Sequence, residues 1–308
     1  MNQEHPDVVI RYIKTKNKLR KLATYRSDTC DLRLKHEAIN HFINERFIPS
    51  AFTKGYVKNR SIYHNALAHM YNDYFIMLDI KDFFPHICHK QLCDKLYHEM
   101  NLMKAGQISR KECNDIVELC SISSRGLPLG FITSPTLSNI YLKEFDGIFY
   151  GKLKKLNLKH IIYTRYADDI TVSFKTDLKE ELVDCERAVI EIASALLSRY
   201  GLQLNMKKIR SYNMNFSNHV RVTGVNITNQ VDGKRKLTVG RTLKNELFWD
   251  ALDCLQTAEP NKIAYVKGVQ SFILSIEKKG YESCYSSAMM ELVHSYGYGT
   301  LKELIDAL

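Results

Sequence analysis

The chain has 308 residues, 45% of them hydrophobic, enough for a sizeable core and about two or three subdomains. Lys and Arg number 44 against 34 Asp and Glu, a formal charge of +10 with a pI near 9.1, which points to a polyanionic partner. With no long apolar stretch and no lipidation signal, nucleic acid is expected rather than a membrane, and Met1–Pro6 lacks the apolar core of a secretion signal, so a cytoplasmic home is expected.

The stretch to about Gly55 is basic and mixed, with an amphipathic helix expected around Leu34–Phe47. An apolar strand, Tyr74–Leu78, ends at Asp79. Residues 88–122 read as helices that interrupt two sheet-forming segments. The run Gly126-Leu127-Pro128-Leu129-Gly130 marks a tight loop able to approach a flat ligand, and a helix is expected to begin near Pro135. His160–Arg165 and Ile170–Phe174 form a hairpin whose tip is Tyr166-Ala167-Asp168-Asp169. Asp177 caps a further helix, with Glu180 three positions on, and Gly201 ends it. Strands recur at Arg221–Thr228 and Lys236–Val239, and from Thr242 the pattern is helical. This order predicts an α+β fold, an antiparallel sheet backed by helices. The eight cysteines show no Cys-x-x-Cys pair and read as reduced, mostly buried thiols.

An Asp-Asp pair in a turn is by itself ordinary, because Asp suits turns. Here adjacent carboxylates on a hairpin tip repel each other, and a divalent cation between them relieves that repulsion. Asp79 at the end of another strand adds a further carboxylate, and the neighbouring Ile80 carbonyl adds a main-chain oxygen. Such an oxygen set suits a pair of Mg²⁺ ions that join nucleotides. Asp82, three positions on, reads as structural.

The order of the Asp79 segment, Gly-Leu-Pro-x-Gly-x-x-x-Ser-Pro at 126–135, and Tyr-Ala-Asp-Asp resembles the palm of reverse transcriptases. Asn65-Ala66-Leu67-Ala68-His69, Val222-Thr223-Gly224 and Lys267–Ser275 match segments of the retron branch of that bacterial family, and the similarity runs from about residue 18 to 295. One departure is Leu129, where the family usually has Gln, which puts details of template grip in doubt.

The resemblance implies a right-hand polymerase: fingers at 1–72, palm at 73–87 and 126–240, a helical insertion at 88–125, and a helical thumb at 241–308. It implies that Asp79 and Asp168 bridge two Mg²⁺ ions, with Asp169 supporting and the Ile80 carbonyl contributing. Phe84 matches the aromatic that excludes a ribose 2′-OH, and Lys208, with Lys207 as its rival, matches the lysine that protonates departing pyrophosphate. Arg20, Lys21 and Arg26 are candidates to grip the dNTP triphosphate, a solvated basic face being the alternative, and Gly130, Ser134 and Pro135 belong to the nucleotide-facing loop. Asn65, His69, Val222, Thr223 and Gly224 are expected to shape or touch a structured RNA. Arg241, Lys244, Lys262, Lys267, Lys278 and Lys279 are expected to grip a duplex or stem-loop through phosphates. The implied activity is RNA-directed DNA synthesis on a cognate non-coding RNA, from a guanosine 2′-OH, giving a branched RNA–DNA hybrid (msDNA). The expected setting is antiphage defence beside a separate effector protein. The alternatives are another bacterial reverse transcriptase, of intron-encoded or abortive-infection type, or a scaffold that restrains a toxic partner.

Overall fold

The computed structural model describes residues 5–15, 18–102, 107–175 and 182–308. The chain opens with strands β1 (Val8–Thr15) and β2 (Lys18–Tyr25), helix α1 (Asp31–Asn44) and the short α2 (Ile62–Ala68). Strand β3 (Tyr74–Asp79) and the one-turn α3 (Phe83–His86) precede α4 (His89–Met100), α5 (Arg110–Leu119) and the long α6 (Ser134–Leu153). The hairpin β4 (Lys159–Tyr166) and β5 (Asp169–Lys175) leads to α7 (Leu182–Arg199) and β6 (Arg210–Asn213). Strands β7 (His219–Val222), β8 (Val225–Asn229) and β9 (Arg235–Thr238) come next. Helices α8 (Arg241–Thr257), α9 (Pro260–Ile276), α10 (Ser287–Ser295) and α11 (Leu301–Ala307) follow them.

These elements fall into two compact units, one built from residues 1–61 and 72–212, the other from 62–71 and 213–308. The first holds a four-stranded sheet in the order β4-β5-β3-β6. Its β3 and β5 run antiparallel with Tyr74 opposite Phe174 and Asp79 opposite Asp169. Nearly every residue of these two strands is buried, because the sheet carries α6 and α7 on its apolar side. The 20-residue α6 is buried over most of its length, with Leu137, Tyr141, Phe145 and Phe149 fully enclosed in that core. Helix α5 starts on a complete capping box, in which Ser109 and Glu112 satisfy each other's main-chain N–H. The expected cap at Asp177, with Glu180 three positions on, lies outside the described residues, and α7 is described over Leu182–Arg199.

The β1–β2 hairpin packs through a smaller cluster. Ala23, Leu32 and Phe131 are buried there, Tyr25 stacks on Phe131 with ring centroids 5.3 Å apart, and the Tyr25 hydroxyl lies 2.7 Å from His36 Nδ1. The basic N-terminal segment is therefore a strand pair before it is a helix. No Gly or Pro lies between the two strands in the sequence, so the usual hairpin signal is missing there.

In the second unit the strand expected at Arg221–Thr228 is broken. Thr223 (φ 45°) and Gly224 (φ 92°) form a two-residue turn between paired Val222 and Val225, the positive-φ hairpin geometry that matches strand twist. Thr is β-branched and poorly suited to that region, so the sequence pattern there is that of a continuous strand. Among the described residues no helix is long and apolar enough to cross a membrane.

Candidate active site

The two acidic segments converge because register demands it. Asp79 ends β3 and Asp169 begins β5 directly opposite, on the same face of the sheet. Side chains so placed have Cβ atoms about 4.5–5.5 Å apart. Between Tyr166 and Asp169 the chain turns in two residues, Ala167 and Asp168, and Ala167 takes a positive φ of 56°. The Ile80 N–H donates to the Asp168 carbonyl at 3.0 Å, tying the turn to the end of β3. Asp79 is in turn fixed from its other side, since its carbonyl accepts from Asn205 N–H at 2.8 Å. Lys208 Nζ donates to Asp79 Oδ2 at 2.6 Å.

The electrostatics follow from this crowding. Burial raises the Asp169 carboxyl to about 6, the charges of Asp168 and Asp79 add to the rise, and Lys208 opposes it. Burial also raises Asp168, its own main-chain hydrogen bond lowers it, Asp79 raises it, and Lys208 and Arg20 lower it. The Asp79 hydrogen bond lifts Lys208 above the ordinary lysine value, so this ammonium stays charged. Asp169 is an exposed residue at the sheet end, so water screens part of this repulsion. A crowded, half-desolvated set of carboxylates is what a bound cation would relieve.

Among the described residues no three His, Cys, Asp or Glu side chains are gathered closely enough to hold an ion by themselves. Mg²⁺ rarely uses such a cage; it takes one or two carboxylates and completes its shell with water and substrate phosphate. Asp79 and Asp169, paired across the sheet, with Asp168 next in the chain, offer oxygen donors of the kind that ion takes, short of a closed cage.

Around this centre the expected residues separate. Strand alternation sends Arg20 and Lys21 of β2 to opposite faces. Arg20 is the one that acts on Asp168, and it also acts on Tyr56. Lys21 and Arg26 line a different cavity of about 690 Å³, walled by Pro85 and the Gly126–Leu129 loop, and Arg26 Nε donates to the Pro6 carbonyl at 2.7 Å. Phe84 is 8% exposed and packs against Phe83 in the core of the first unit. Lys207 donates no bond to Asp79, which is left to Lys208.

The glycine loop makes its close approach to protein rather than to open space. Gly130 has φ +106°, and a Cβ there would sit 2.3 Å from the Ala23 carbonyl of β2. Leu129, on its other side, accepts from Ala23 N–H at 2.8 Å through its carbonyl. The buried Ser134 hydroxyl donates to the Pro128 carbonyl at 2.7 Å and closes the loop, with Pro135 in the first turn of α6. Gly130 thus seats the loop on β2, and Ser134 closes it.

In the second unit Asn65 (1% exposed) donates through Nδ2 to the Thr223 hydroxyl at 3.0 Å, and His69 and Val222 are fully buried. Burial leaves these residues to shape the hairpin; only Thr223 and Gly224, at its tip, are partly open. Lys244 was expected on phosphate, yet it is 5% exposed and its Nζ donates to both carboxylate oxygens of the buried Glu277, at 3.0 and 3.2 Å. Lys262 pairs with Asp253 at 2.6 Å, whereas Arg241, Lys267 and Lys279 are exposed. Sequence reading missed Tyr56, beside Tyr166 at the acidic centre, and the buried group of Thr53, Asn139, Asp146, Tyr163 and Arg165. One signal was present: Arg165 is a charge just after the apolar run Ile161–Tyr163, next to the Tyr166–Asp169 turn.

Residues 13–227, most of the chain, match the family model described as reverse transcriptase (RNA-dependent DNA polymerase). The chain belongs to that family. Among curated proteins it is similar to the retron Ec73 reverse transcriptase of Escherichia coli, 32% identical over 62% of this chain and 59% of that protein. It is also similar to the retron Ec86 reverse transcriptase of the same organism, 26% identical over 78% of this chain and 67% of the relative. The match to the Ec73 protein therefore spans less than two thirds of its length. Telomerase from Candida tropicalis in complex with a TWJ fragment of telomeric RNA has a similar fold, with TM-score 0.51, 12% identity, and 94% of this chain and 57% of that one covered. At that identity the likeness speaks for the fold alone, and it agrees with an α+β right-hand polymerase with an antiparallel-sheet palm.

Proposed function

We propose that this chain is an RNA-directed DNA polymerase of a retron, carried by one observation: Asp79 and Asp169 are register partners, with Asp168 tied to β3 between them. In this reading the β3–β5 sheet is the palm, the N-terminal segment the fingers, and the C-terminal helices the thumb. Asp79, Asp168 and Asp169, with the Ile80 carbonyl, would hold two Mg²⁺ ions. When bound, these supply Lewis acidity toward a primer hydroxyl and neutralise charge on the triphosphate. Lys208, which reaches Asp79 at 2.6 Å, would give a proton to departing pyrophosphate. Arg20 would meet the triphosphate from β2. Phe84 would limit the space beneath the sugar and so favour dNTPs.

The exposed Arg241, Lys267 and Lys279, with the Thr223-Gly224 tip, would hold a structured non-coding RNA through phosphate contacts, strengthening as salt falls. Similarity to retron enzymes supports priming from a guanosine 2′-OH, a branched RNA–DNA product, and antiphage defence beside a separately encoded effector.

The test uses purified protein, the structured RNA encoded beside its gene, dNTPs and Mg²⁺. DNA extension is expected from the wild type and its loss, by roughly 10³-fold or more, in Asp168→Asn. Sequencing the junction should show a 2′–5′ branch. An ordinary 3′ or protein-linked start would remove the retron reading, and extension by Asp168→Asn would remove the polymerase site.

A further inference from the structure

The hairpin that presents Asp168 and Asp169 is shaped against its own preference. Ala167 stands at φ 56°, a region that costs a non-glycine residue roughly 1 kcal/mol or more and persists only where neighbours enforce it. Arg165, wholly buried, reaches this turn, and its Nη1 donates to the Ala167 carbonyl at 3.2 Å.

The remaining donors of that guanidinium are fixed in turn. Nε donates to Asp146 Oδ1 at 2.8 Å, and Nη2 donates to Asp146 Oδ2 at 2.9 Å and to Thr53 Oγ1 at 2.8 Å. Asp146, also fully buried on α6, accepts further from the Tyr163 hydroxyl at 2.6 Å and the Thr53 hydroxyl at 2.9 Å. Nη1 also reaches Asn139 Oδ1 at 3.3 Å, and Asn139 Nδ2 donates to the Gly55 carbonyl at 3.0 Å. Gly55 is the floor under the turn, since a Cβ there would lie 2.9 Å from the Ala167 nitrogen. The main chain adds Lys54 N–H to the Arg165 carbonyl at 2.7 Å.

We propose that Arg165, locked by Asp146, is the positioning residue of the catalytic turn: its guanidinium holds Ala167 in the left-handed region and so fixes where Asp168 and Asp169 point. A buried ion pair is a poor stabiliser compared with well-packed apolar groups, so its presence here is better explained by the geometry it imposes. The fork of the guanidinium matters, because a lysine ammonium lacks the rigid spread of donors that serves a carboxylate and a carbonyl together. The inference rests on the polymerase reading for its kinetic consequence, but its structural half stands without it.

The test compares Arg165→Lys with wild type. Hydrogen exchange over residues 166–169 should accelerate at least tenfold while the rest of β3 and β5 stays protected. At temperatures where the variant is folded, kcat for extension should fall about 10- to 100-fold, with the dNTP KM within about twofold and a higher Mg²⁺ concentration at half-maximal rate. A second variant, Thr53→Val with Asp146→Leu, Tyr163→Phe and Arg165→Met, replaces the whole buried group by apolar side chains. It should remain folded and show the same fast exchange and slow turnover. Unchanged exchange at 166–169, or activity lost only in proportion to the unfolded fraction, would overturn the proposal. An inactive wild type with unchanged exchange predictions would instead count against the polymerase reading alone.

Discussion

Lys208 is the group whose removal says most about the acidic centre. Its ammonium is hydrogen-bonded to Asp79 at 2.6 Å, while its side chain remains 59% exposed. A divalent ion arriving at Asp79 must displace that bond and approach a positive charge. Two unit charges 4 Å apart interact by about 1 kcal/mol in water, so repulsion of a divalent ion at this wet edge amounts to roughly 1–2 kcal/mol. Lys208→Met should therefore tighten divalent binding to the nucleotide-free protein by about 5- to 30-fold. The same substitution removes the proposed proton donor and should slow single-nucleotide extension by about 10²- to 10⁴-fold. Mn²⁺ titration followed by electron paramagnetic resonance reads the first effect, and single-turnover extension the second. Lys208→Arg should bind Mn²⁺ like the wild type. Unchanged or weaker Mn²⁺ binding by Lys208→Met, or a retained rate, would refute this assignment of the lysine.

Other perturbations have defined outcomes. Burial lowers His36, partly offset by its bond to the Leu119 carbonyl, so the folded state takes up the proton less readily than the unfolded chain. Stability is then fully present above the ordinary histidine value of about 6.5 and declines as pH falls from there toward the lowered folded value. Thermal unfolding between pH 7 and 5 should show this decline, and His36→Gln should flatten it; an unaltered slope would refute the role of His36. Gly130→Ala places a Cβ against the Ala23 carbonyl at a strained φ and should cost more than about 1 kcal/mol in urea unfolding; a neutral result would mean that the loop is not seated on β2. Lys244→Met leaves the Glu277 charge buried without its partner and should cost about 3–5 kcal/mol. Lys267→Met should leave stability unchanged and reduce the salt slope of RNA binding by about 1. The opposite pattern would return Lys244 to the RNA interface.

The acidic centre was legible because it is written in strands. Asp79 ends one apolar run and Asp168-Asp169 interrupts another, so pairing of the two runs brings the carboxylates together whatever else the fold does. Lys208 was legible by resemblance, and its bond to Asp79 comes from a short segment, 204–208, laid beside the end of β3. The network beneath the turn was not legible, since Thr53, Asn139, Asp146 and Arg165 are scattered over more than a hundred residues and meet only through packing. Arg20 and Lys21 look equivalent in sequence, and only the β2 pleat separates them. Lys244 reads as one more surface cation because Glu277, its buried partner, lies 33 residues away. The turn at Thr223 was hidden because a β-branched residue sits where a glycine or asparagine would have announced it.

The most direct measurement is anomalous diffraction from crystals of the protein grown with Mn²⁺ and a dNTP. Two peaks roughly 3.5–4 Å apart, bounded by the carboxylates of Asp79 and Asp168 with Asp169 beside them, are the expected result. A metal position that leaves Asp79 still paired with Lys208, or no peak at the β3–β5 edge, would contradict the shared site.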